Sequence, residues 1–375
     1  MNKRHSIFYN FFRPLVIIFL RFKFGYRFKV AKNLPDNYIV LSNHTTDFDP
    51  LLVAASFPRK MYFVASEHIS RWKNLYRFLK FGFSPIIRRK GTVAVSTVME
   101  ALRRVRKGDN VCIFAEGYRS WDGVTGAILP ATGKMIKSAR CALVTYRIEG
   151  GYFVSPNWSE GNTRRGYLYG APVNIYTEEQ LACMSVTEIN AIINQDLYED
   201  AYERQNIAPK KYKGKNLAQG MENLLFLCPK CKRMDSLYSG GDCVYCSNCD
   251  FTFKYNEYGM LEGVPFKTVK ELAAWQKKQV QKDALEKVIY EAEEGTLFQI
   301  VEHEERRVAQ GCVTLSENSL KCGDTEILLS DITDFGMYGK HNIVFSVQKM
   351  YYELCLARKI NSLKFFLLYE EYKKR

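Results

Sequence analysis

The residues best suited to chemistry lie in a short polar stretch, residues 43–50 (Asn-His-Thr-Thr-Asp-Phe-Asp-Pro), after the apolar run Tyr38–Ser42. The apolar run predicts a buried strand, and Asp49-Pro50 is typical of a helix start with Asp49 as N-cap. His44 and Asp49 would lie about 140° apart on one helix, so only a turn can bring them together. An aspartate that holds an imidazole in one tautomer makes it a better general base. The alternative is that His44 is a polar turn residue.

Two further polar stretches follow apolar strands. Residues 86–89 (Ile-Ile-Arg-Arg) end in paired arginines, which can bind a phosphate through bidentate hydrogen bonds, although surface arginine pairs are common. Residues 114–120 (Phe-Ala-Glu-Gly-Tyr-Arg-Ser) run from a buried strand into a loop. There Gly117 allows the backbone to approach a ligand, Arg119 suits an anion, and Glu116 can accept a hydrogen bond from a hydroxyl. The alternative is a plain strand and turn.

These stretches, in this order, resemble the motifs of the glycerolipid acyltransferases, the lysophosphatidic acid acyltransferases or PlsC-like proteins. His44 and Asp49 match the Asn-His-x4-Asp motif, and residues 114–120 match Phe-Pro-Glu-Gly-Thr-Arg-Ser. Arg89 fits the arginine of the second motif best, and Arg88 is the other candidate. Ala115 and Tyr118 stand where the family usually has Pro and Thr, and the bulk of Tyr118 bears on the acceptor head group that fits.

The resemblance implies an α/β acyltransferase domain, with a mixed sheet flanked by helices. His44 would be the catalytic base and Asp49 its orienting carboxylate. The residues implied to hold the substrate phosphate are Arg89, Glu116, Gly117 and Arg119. The reaction implied moves an acyl group from acyl-CoA or acyl-carrier protein to lysophosphatidic acid, giving phosphatidic acid for phospholipid biosynthesis. Glycerol-3-phosphate or another lysolipid is an alternative acceptor, and the sequence leaves the donor and the acyl chain length open.

The N-terminal segment indicates a membrane surface as a partner. The chain carries a net charge of +14, and eight Lys and Arg residues precede the first acidic residue, Asp36. The apolar residues 5–20 are interrupted by Arg13 and Pro14, so the uninterrupted part is far shorter than the ~20 residues that span a bilayer. We expect an interfacial anchoring helix within residues 1–34 and a peripheral or monotopic protein on the cytoplasmic face of the cell membrane. A spanning helix is the alternative.

A cysteine cluster predicts a metal site after the acyltransferase domain of residues 35–215. Five of the eleven cysteines lie between Cys228 and Cys249, and no cleavable signal peptide is evident. Two Cys-x-x-Cys pairs suit a structural zinc ion in a ribbon over residues 223–263, with flanking strands at 224–227 and 251–255. The ligands expected are Cys228, Cys231, Cys246 and Cys249. Cys243 is spare or replaces Cys249, and buried free thiols are the alternative.

The remaining chain predicts a connecting helix over residues 266–294 and a β-rich domain over 295–375. Five short strands and a final helix resemble, in pattern only, a pleckstrin-homology or GRAM-like domain. A nucleic-acid-binding protein with a zinc ribbon is a competing reading of the charge, but the basic residues gather beside the apolar N-terminus, so no nucleic acid is expected. A lipid-binding protein without catalysis is a third, which the His44 and Asp49 pair disfavours.

Overall fold

The computed structural model describes residues 3–66, 69, 73–88, 95–301 and 304–374. The chain forms two compact units. The first contains most residues up to Gly214, and the second contains Lys215–Arg375 together with the segment Trp158–Asn162. Within the described residues, no helix combines the length and the apolar character needed to cross a bilayer.

The first unit is built on a seven-stranded mixed sheet with the order β1-β7-β6-β2-β5-β3-β4. Its strands are β1 (Arg27–Phe28), β2 (Tyr38–Ser42), β3 (Met61–Ser66), β4 (Ile86–Arg88), β5 (Asn110–Phe114), β6 (Ala142–Glu149) and β7 (Tyr169–Tyr176). Neighbouring strands run parallel except β6 and β7. The predicted α/β class with a mixed sheet is confirmed. The carboxyl ends of the parallel strands β2, β4 and β5 meet at one edge, which gathers the three polar stretches.

Helices flank this sheet. They are α1 (Lys3–Phe24), α2 (Asp49–Ser56), α3 (Lys73–Gly82), α4 (Val95–Arg106), α5 (Ala131–Ala139), α6 (Gly151–Val154), α7 (Glu178–Cys183), α8 (Val186–Leu197) and α9 (Ala201–Ile207). Every residue of β2 is buried, as its uninterrupted apolar sequence predicts for a central strand covered on both faces. Apolar side chains from β2, β5, α4, α5 and α8 form one core on one side of the sheet.

Helix α1 is fastened to the end of α2 by polar side chains. The Tyr9 hydroxyl donates to the carbonyl oxygens of Ala54 and Phe57, at 3.0 and 2.9 Å. Arg13 donates to the carbonyls of Ala54 and Ala55, at 3.2 and 2.7 Å. The last carbonyls of a helix have no partner within it, so a cation and a hydroxyl are well placed there. The arginine that interrupts the apolar sequence is therefore used against protein backbone.

The cysteine-rich part of the second unit forms a small antiparallel sheet with the order β11-β10-β9-β8. Its strands are β8 (Leu237–Gly240), β9 (Cys243–Cys246), β10 (Thr252–Tyr255) and β11 (Leu261–Glu262). The strand expected at 224–227 does not form. Residues Met221–Asn223 make a 3-10 turn, and Leu227 pairs only through a single bridge to Met234.

The connecting helix α10 covers Val269–Leu285, so it ends earlier than the sequence suggested. Lys287 adopts the left-handed conformation with φ of 57°, and the Val288 N–H bonds back to the carbonyl of Asp283, which closes the helix. The chain is already extended from Tyr290 onward, because β-branched and aromatic residues favour a strand there.

The C-terminal region is a curled antiparallel sheet of seven strands followed by one helix, as the predicted β-rich domain requires. Its order is β15-β14-β13-β12-β18-β17-β16. The elements are β12 (Tyr290–Val301), β13 (Glu304–Leu315), β14 (Ser319–Cys322), β15 (Thr325–Leu328), β16 (Ile332–Tyr338), β17 (Asn342–Val347), β18 (Met350–Leu356) and α11 (Ser362–Lys373). The sequence missed β14 and β16, which are short or interrupted by a bulge.

Candidate active site

The first polar stretch folds around the Asp49 carboxylate. Asp49 is fully buried, and its oxygens accept the backbone N–H groups of Thr45 and Thr46, at 2.6 and 3.0 Å. The hydroxyls of both threonines also donate to it, at 3.3 and 2.6 Å. The helix cap itself is Phe48, so the expectation that Asp49 is the N-cap is wrong. Its carboxylate points back into the loop, where it fixes the position of the residues before the helix.

The same carboxylate holds His44. Nδ1 of His44 lies 2.8 Å from Oδ2 of Asp49, so the loop achieves the juxtaposition that a single helix would not. A hydrogen on Nδ1 that bonds to the carboxylate leaves the Nε2 lone pair available as a base. The His44 side chain is 22% exposed, so a ligand can reach it. The structure brings His44 and Asp49 into contact, and their catalytic role stays a prediction.

An aromatic contact that the sequence did not single out orients the imidazole further. The ring of Phe114, the last residue of β5, stacks on the His44 ring with centroids 4.6 Å apart and planes inclined by 23°. β2 and β5 are hydrogen-bonded neighbours that end at the same level, with Ser42 opposite Phe114. The only sequence signal for this contact is an apolar residue at the end of a strand. Such a residue looks the same as one that packs in the core.

Asn43 anchors the base of the loop to the sheet. Its amide donates to the carbonyl of Ile148 at 2.9 Å, and its side-chain oxygen accepts the Ile148 N–H at 2.8 Å. Asn43 is 1% exposed, so it cannot contact a substrate. This two-way bond to β6 fixes where the chain leaves β2, and so where His44 begins.

Glu116 is a buried brace between two loops. One carboxylate oxygen accepts the N–H of His44 and the other accepts the N–H of Gly126, both at 2.5 Å. Burial raises the pKa of Glu116 to about 8, although both backbone hydrogen bonds oppose that shift. The side chain is 3% exposed. The bonds observed therefore position His44, and the contact of Glu116 with an acceptor stays a prediction.

Arg119 is also turned toward the protein. Its guanidinium donates to the carbonyls of Thr45 and Ser155, at 3.2 and 2.6 Å, and to the carboxylate of Asp47 at 2.7 Å. Its side chain is 10% exposed, whereas that of Asp47 is 75% exposed. Arg119 thus fastens the loop between His44 and Asp49 from outside, and Asp47 is its partner as well as a turn residue.

The arginine stretch reaches the same edge of the sheet. Nη1 of Arg88 lies 3.2 Å from the position that a Cβ atom on Gly117 would occupy. Gly117 has φ of 76°, a conformation that side chains disfavour, so glycine serves both the turn and the close approach of the guanidinium. Arg89, the preferred candidate for phosphate binding, lies outside the described residues. Its role stays a prediction.

The four cysteines expected as metal ligands come together in the second unit. The sulfurs of Cys228 and Cys249 are 3.8 Å apart, those of Cys231 and Cys246 are 3.7 Å apart, and all four lie within 4.8 Å of one another. Four thiolates bound at about 2.3 Å to a tetrahedral metal lie about 3.8 Å apart, so the donor set fits. Cys243 does not belong to this group. A metal ion held by four cysteines has no open coordination position for a substrate.

Comparisons with known proteins agree with the order of the motifs. The family model described as Acyltransferase matches residues 26–149. Among solved structures, the chain is similar to the 1-acyl-sn-glycerophosphate (LPA) acyltransferase PlsC from Thermotoga maritima. That match has 18% sequence identity and a TM-score of 0.43, and it covers 56% of this chain and 84% of that one. No curated protein matches the chain significantly. Residues 26–149, the part of the chain that matches this family model, carry His44 and its carboxylate.

Proposed function

We propose that this protein transfers a fatty acyl group from an acyl thioester to the free hydroxyl of lysophosphatidic acid, giving phosphatidic acid. The observation that carries the proposal is the 2.8 Å contact between His44 Nδ1 and the buried Asp49 carboxylate, with the imidazole accessible from outside. The family match supplies the acyl transfer, and the basic residues near the site favour a phosphate-bearing acceptor.

The proposed reaction needs a base and a positioned thioester, with no covalent acyl-enzyme. Nε2 of His44 takes the proton from the acceptor hydroxyl as its oxygen attacks the thioester carbonyl carbon. The carbon–sulfur bond then breaks, and the departing thiolate takes the proton back from the imidazolium. Asp49 stabilises the imidazolium meanwhile. A positioned general base of this kind contributes about 10²–10⁴ in rate, and alignment of the two substrates adds to it. The donor is acyl-CoA or acyl-carrier protein.

We assign the acceptor phosphate to Arg88 and Arg89. Arg88 lies against that glycine, and Arg89 follows it in the chain. Glu116 and Arg119 are positioning residues in this scheme, because the hydrogen bonds they make go to the loop that carries His44. Their replacement should lower turnover more than it weakens acceptor binding.

Membrane attachment through α1 is the second part of the proposal. Five large apolar side chains recur every three or four residues along one stripe of this helix and are at least half exposed. They are Ile7, Phe11, Leu15, Ile18 and Phe22. A helix with such a stripe and flanking basic residues lies in the membrane interface. A lysophospholipid acceptor resides in that interface, and we place the protein on the cytoplasmic face of the cell membrane.

Zinc is the metal we propose for the four-cysteine cluster, with a structural role. A four-thiolate set is typical of structural zinc, and the ion supplies folding energy when bound. The acyl transfer requires no step at this site.

Replacing His44 by alanine tests the central claim. We expect a loss of turnover of about 10²–10⁴-fold with unchanged folding, because the base is removed from a partly exposed position. The matched control is His341→Ala, which removes a histidine from the second unit. Purified proteins would be assayed with acyl-CoA and acyl-carrier protein against lysophosphatidic acid, glycerol-3-phosphate and other lysolipids. Unchanged turnover in His44→Ala would refute the mechanism, and preference for another acceptor would refute the substrate.

Arg89→Ala tests the phosphate assignment separately. The Michaelis constant for the acceptor should rise more than that for the donor, because only the acceptor phosphate loses a partner. Equal effects on both substrates would count against a phosphate contact, whatever the outcome for His44.

A further inference from the structure

A second basic feature of the first unit lies outside the proposed active site. It is a groove of about 490 Å³ with five cationic side chains and no acidic side chain among its lining residues. The cationic residues are Arg27, Arg165, Lys210, Lys211 and Lys213. All five are exposed. Within the described part of the chain, no carboxylate forms an ion pair with Arg27, Arg165, Lys210 or Lys213. We refer to this feature as the basic groove.

The backbone under the basic groove is held in place. Arg165 and Lys213 exchange two backbone hydrogen bonds of 2.9 Å. The backbone of Lys210 is gripped by the buried Gln205 side chain, which accepts its N–H at 3.0 Å and donates to its carbonyl at 2.6 Å. Arg27 is paired with β7. The cationic side chains therefore project from segments that are already ordered. A ligand does not have to order these segments when it binds.

Two glycines allow the segments that line the groove to pack closely against each other. A Cβ atom on Gly166 would come within 2.4 Å of the Tyr212 ring, so only glycine fits there. Gly25, with φ of 76°, ends α1 and would meet the Gly166 carbonyl at 3.2 Å. A cluster of five cations with no acidic side chain among the lining residues is suited to a ligand with several negative oxygens, and phosphate esters are the common biological class.

The chain connects this groove directly to the apolar stripe of α1. The stripe ends at Phe22, which is 79% exposed, and Gly25 of the groove follows three residues later. When α1 lies in the interface, the residues just beyond its end are at the depth of the lipid head groups. This continuity favours a lipid phosphate over a soluble phosphate ester as the occupant.

We infer that the basic groove binds the phosphate groups of anionic phospholipids and so fixes the acyltransferase domain at a membrane surface. The inference rests on the membrane attachment proposed above. It adds a head-group site that is separate from the acceptor phosphate site beside Gly117. It also predicts a preference for anionic membranes that the apolar stripe alone would not give.

The test compares two variants of the full chain with the same loss of charge. The groove variant carries Arg165→Gln, Lys210→Gln and Lys213→Gln. The control variant carries Lys277→Gln, Lys278→Gln and Lys282→Gln, which are exposed on α10 in the second unit. Sedimentation would measure partitioning onto phosphatidylcholine vesicles with and without phosphatidylglycerol. Each basic residue at an anionic surface contributes about fivefold, so we expect about 10²-fold weaker partitioning of the groove variant on anionic vesicles. The control should change by less than about threefold, because its lysines do not line the groove.

Three results would each overturn the inference. If both variants bind anionic vesicles equally weakly while the wild type binds them, the attraction is a non-specific effect of charge. The inference about the groove then fails, and the membrane proposal stands. If the wild type does not bind vesicles of either composition, the membrane proposal fails as well. If calorimetry finds saturable binding of glycerol phosphate that the groove variant loses, while vesicle binding is unchanged, the ligand is a soluble phosphate ester. Acyl transfer between soluble short-chain substrates should be the same in wild type and groove variant.

Discussion

Replacing Asp49 by asparagine separates the charge of this residue from the fold of its loop. Three donors, the backbone N–H groups of Thr45 and Thr46 and Nδ1 of His44, converge on Oδ2. An asparagine can keep its carbonyl at that position and place its amide where Oδ1 was. The threonine hydroxyls at Oδ1 can turn and accept from the amide instead of donating. The shape of the loop is therefore preserved, and the negative charge is lost.

The magnitude follows from the bond between Asp49 and His44. A hydrogen bond to a charged group contributes about 1.5–3 kcal/mol, compared with about 0.5–1.5 kcal/mol for a neutral pair. The imidazolium forms only during the reaction, so the lost difference, about 1–2 kcal/mol, appears in the barrier. That lowers kcat by about 5–30-fold. The ceiling is the whole contribution of the general base, about 10²–10⁴-fold.

The assay is the release of free thiol from the acyl donor, with the acceptor that the wild type uses. Asp36→Asn is the matched control, because it makes the same chemical change on a fully exposed carboxylate. We expect the loss in Asp49→Asn to be in kcat, with little change in either Michaelis constant. A natively folded variant, judged by thermal unfolding, that retains more than about a third of wild-type kcat would refute an electrostatic role for the carboxylate.

Three further predictions concern other parts of the chain. Stripping metal from the four-cysteine cluster should unfold β8 to β11, seen as new reactive thiols, while acyl transfer persists; a purified protein without metal would contradict the site. His5 packs against Tyr62, and burial lowers its pKa, as do the cations around it. The charged groups that face it are Lys60, Arg4, Arg104 and Asp109. The unfolded state then protonates first, so the free energy of unfolding should fall as the pH drops below 6.5, and His5→Gln should reduce that slope in denaturant titrations. Tyr118→Thr should change the relative Michaelis constants of acceptors with different head groups, since Tyr118 is 48% exposed beside the site.

The sequence was most informative where residue type and spacing alone decide the outcome. The uninterrupted apolar sequence of β2 allows few structures, and so do the spacing of His44 and Asp49 and the paired cysteines. The fold class and the contact between His44 and Asp49 were predicted from these patterns. The strands β14 and β16 were missed because β14 has only four residues and a bulge interrupts β16, so neither shows a strong alternation. The buried Tyr212 holds the segment after Ala208 against the first unit through Phe153, a contact that no local pattern reveals.

Direction of side chains is what the sequence could not supply. Glu116 and Arg119 stand in a motif that suits phosphate binding, and both are polar residues at the end of a core strand. In the structure, Glu116 accepts from the N–H groups of His44 and Gly126. Arg119 donates to the carbonyls of Thr45 and Ser155 and to the Asp47 carboxylate, which occupies three of the five N–H donors of its guanidinium. The Arg119 side chain is 10% exposed, so little of it is open to a ligand.

The hydrogen bonds of Arg119 favour one of two roles. If binding of the acceptor phosphate drew the guanidinium away from Thr45, the loop that carries His44 would loosen whenever substrate arrived, which opposes a fixed general base. If Arg119 only positions the loop, other cations must bind the phosphate, and the arginine stretch reaches the same edge of the sheet, where Arg88 lies against Gly117. The second role keeps His44, Asp49 and Arg119 as one rigid group and leaves affinity to the arginine stretch. If the two roles are divided in this way, Arg119→Gln should lower kcat, and Arg89→Ala should raise the Michaelis constant for the acceptor.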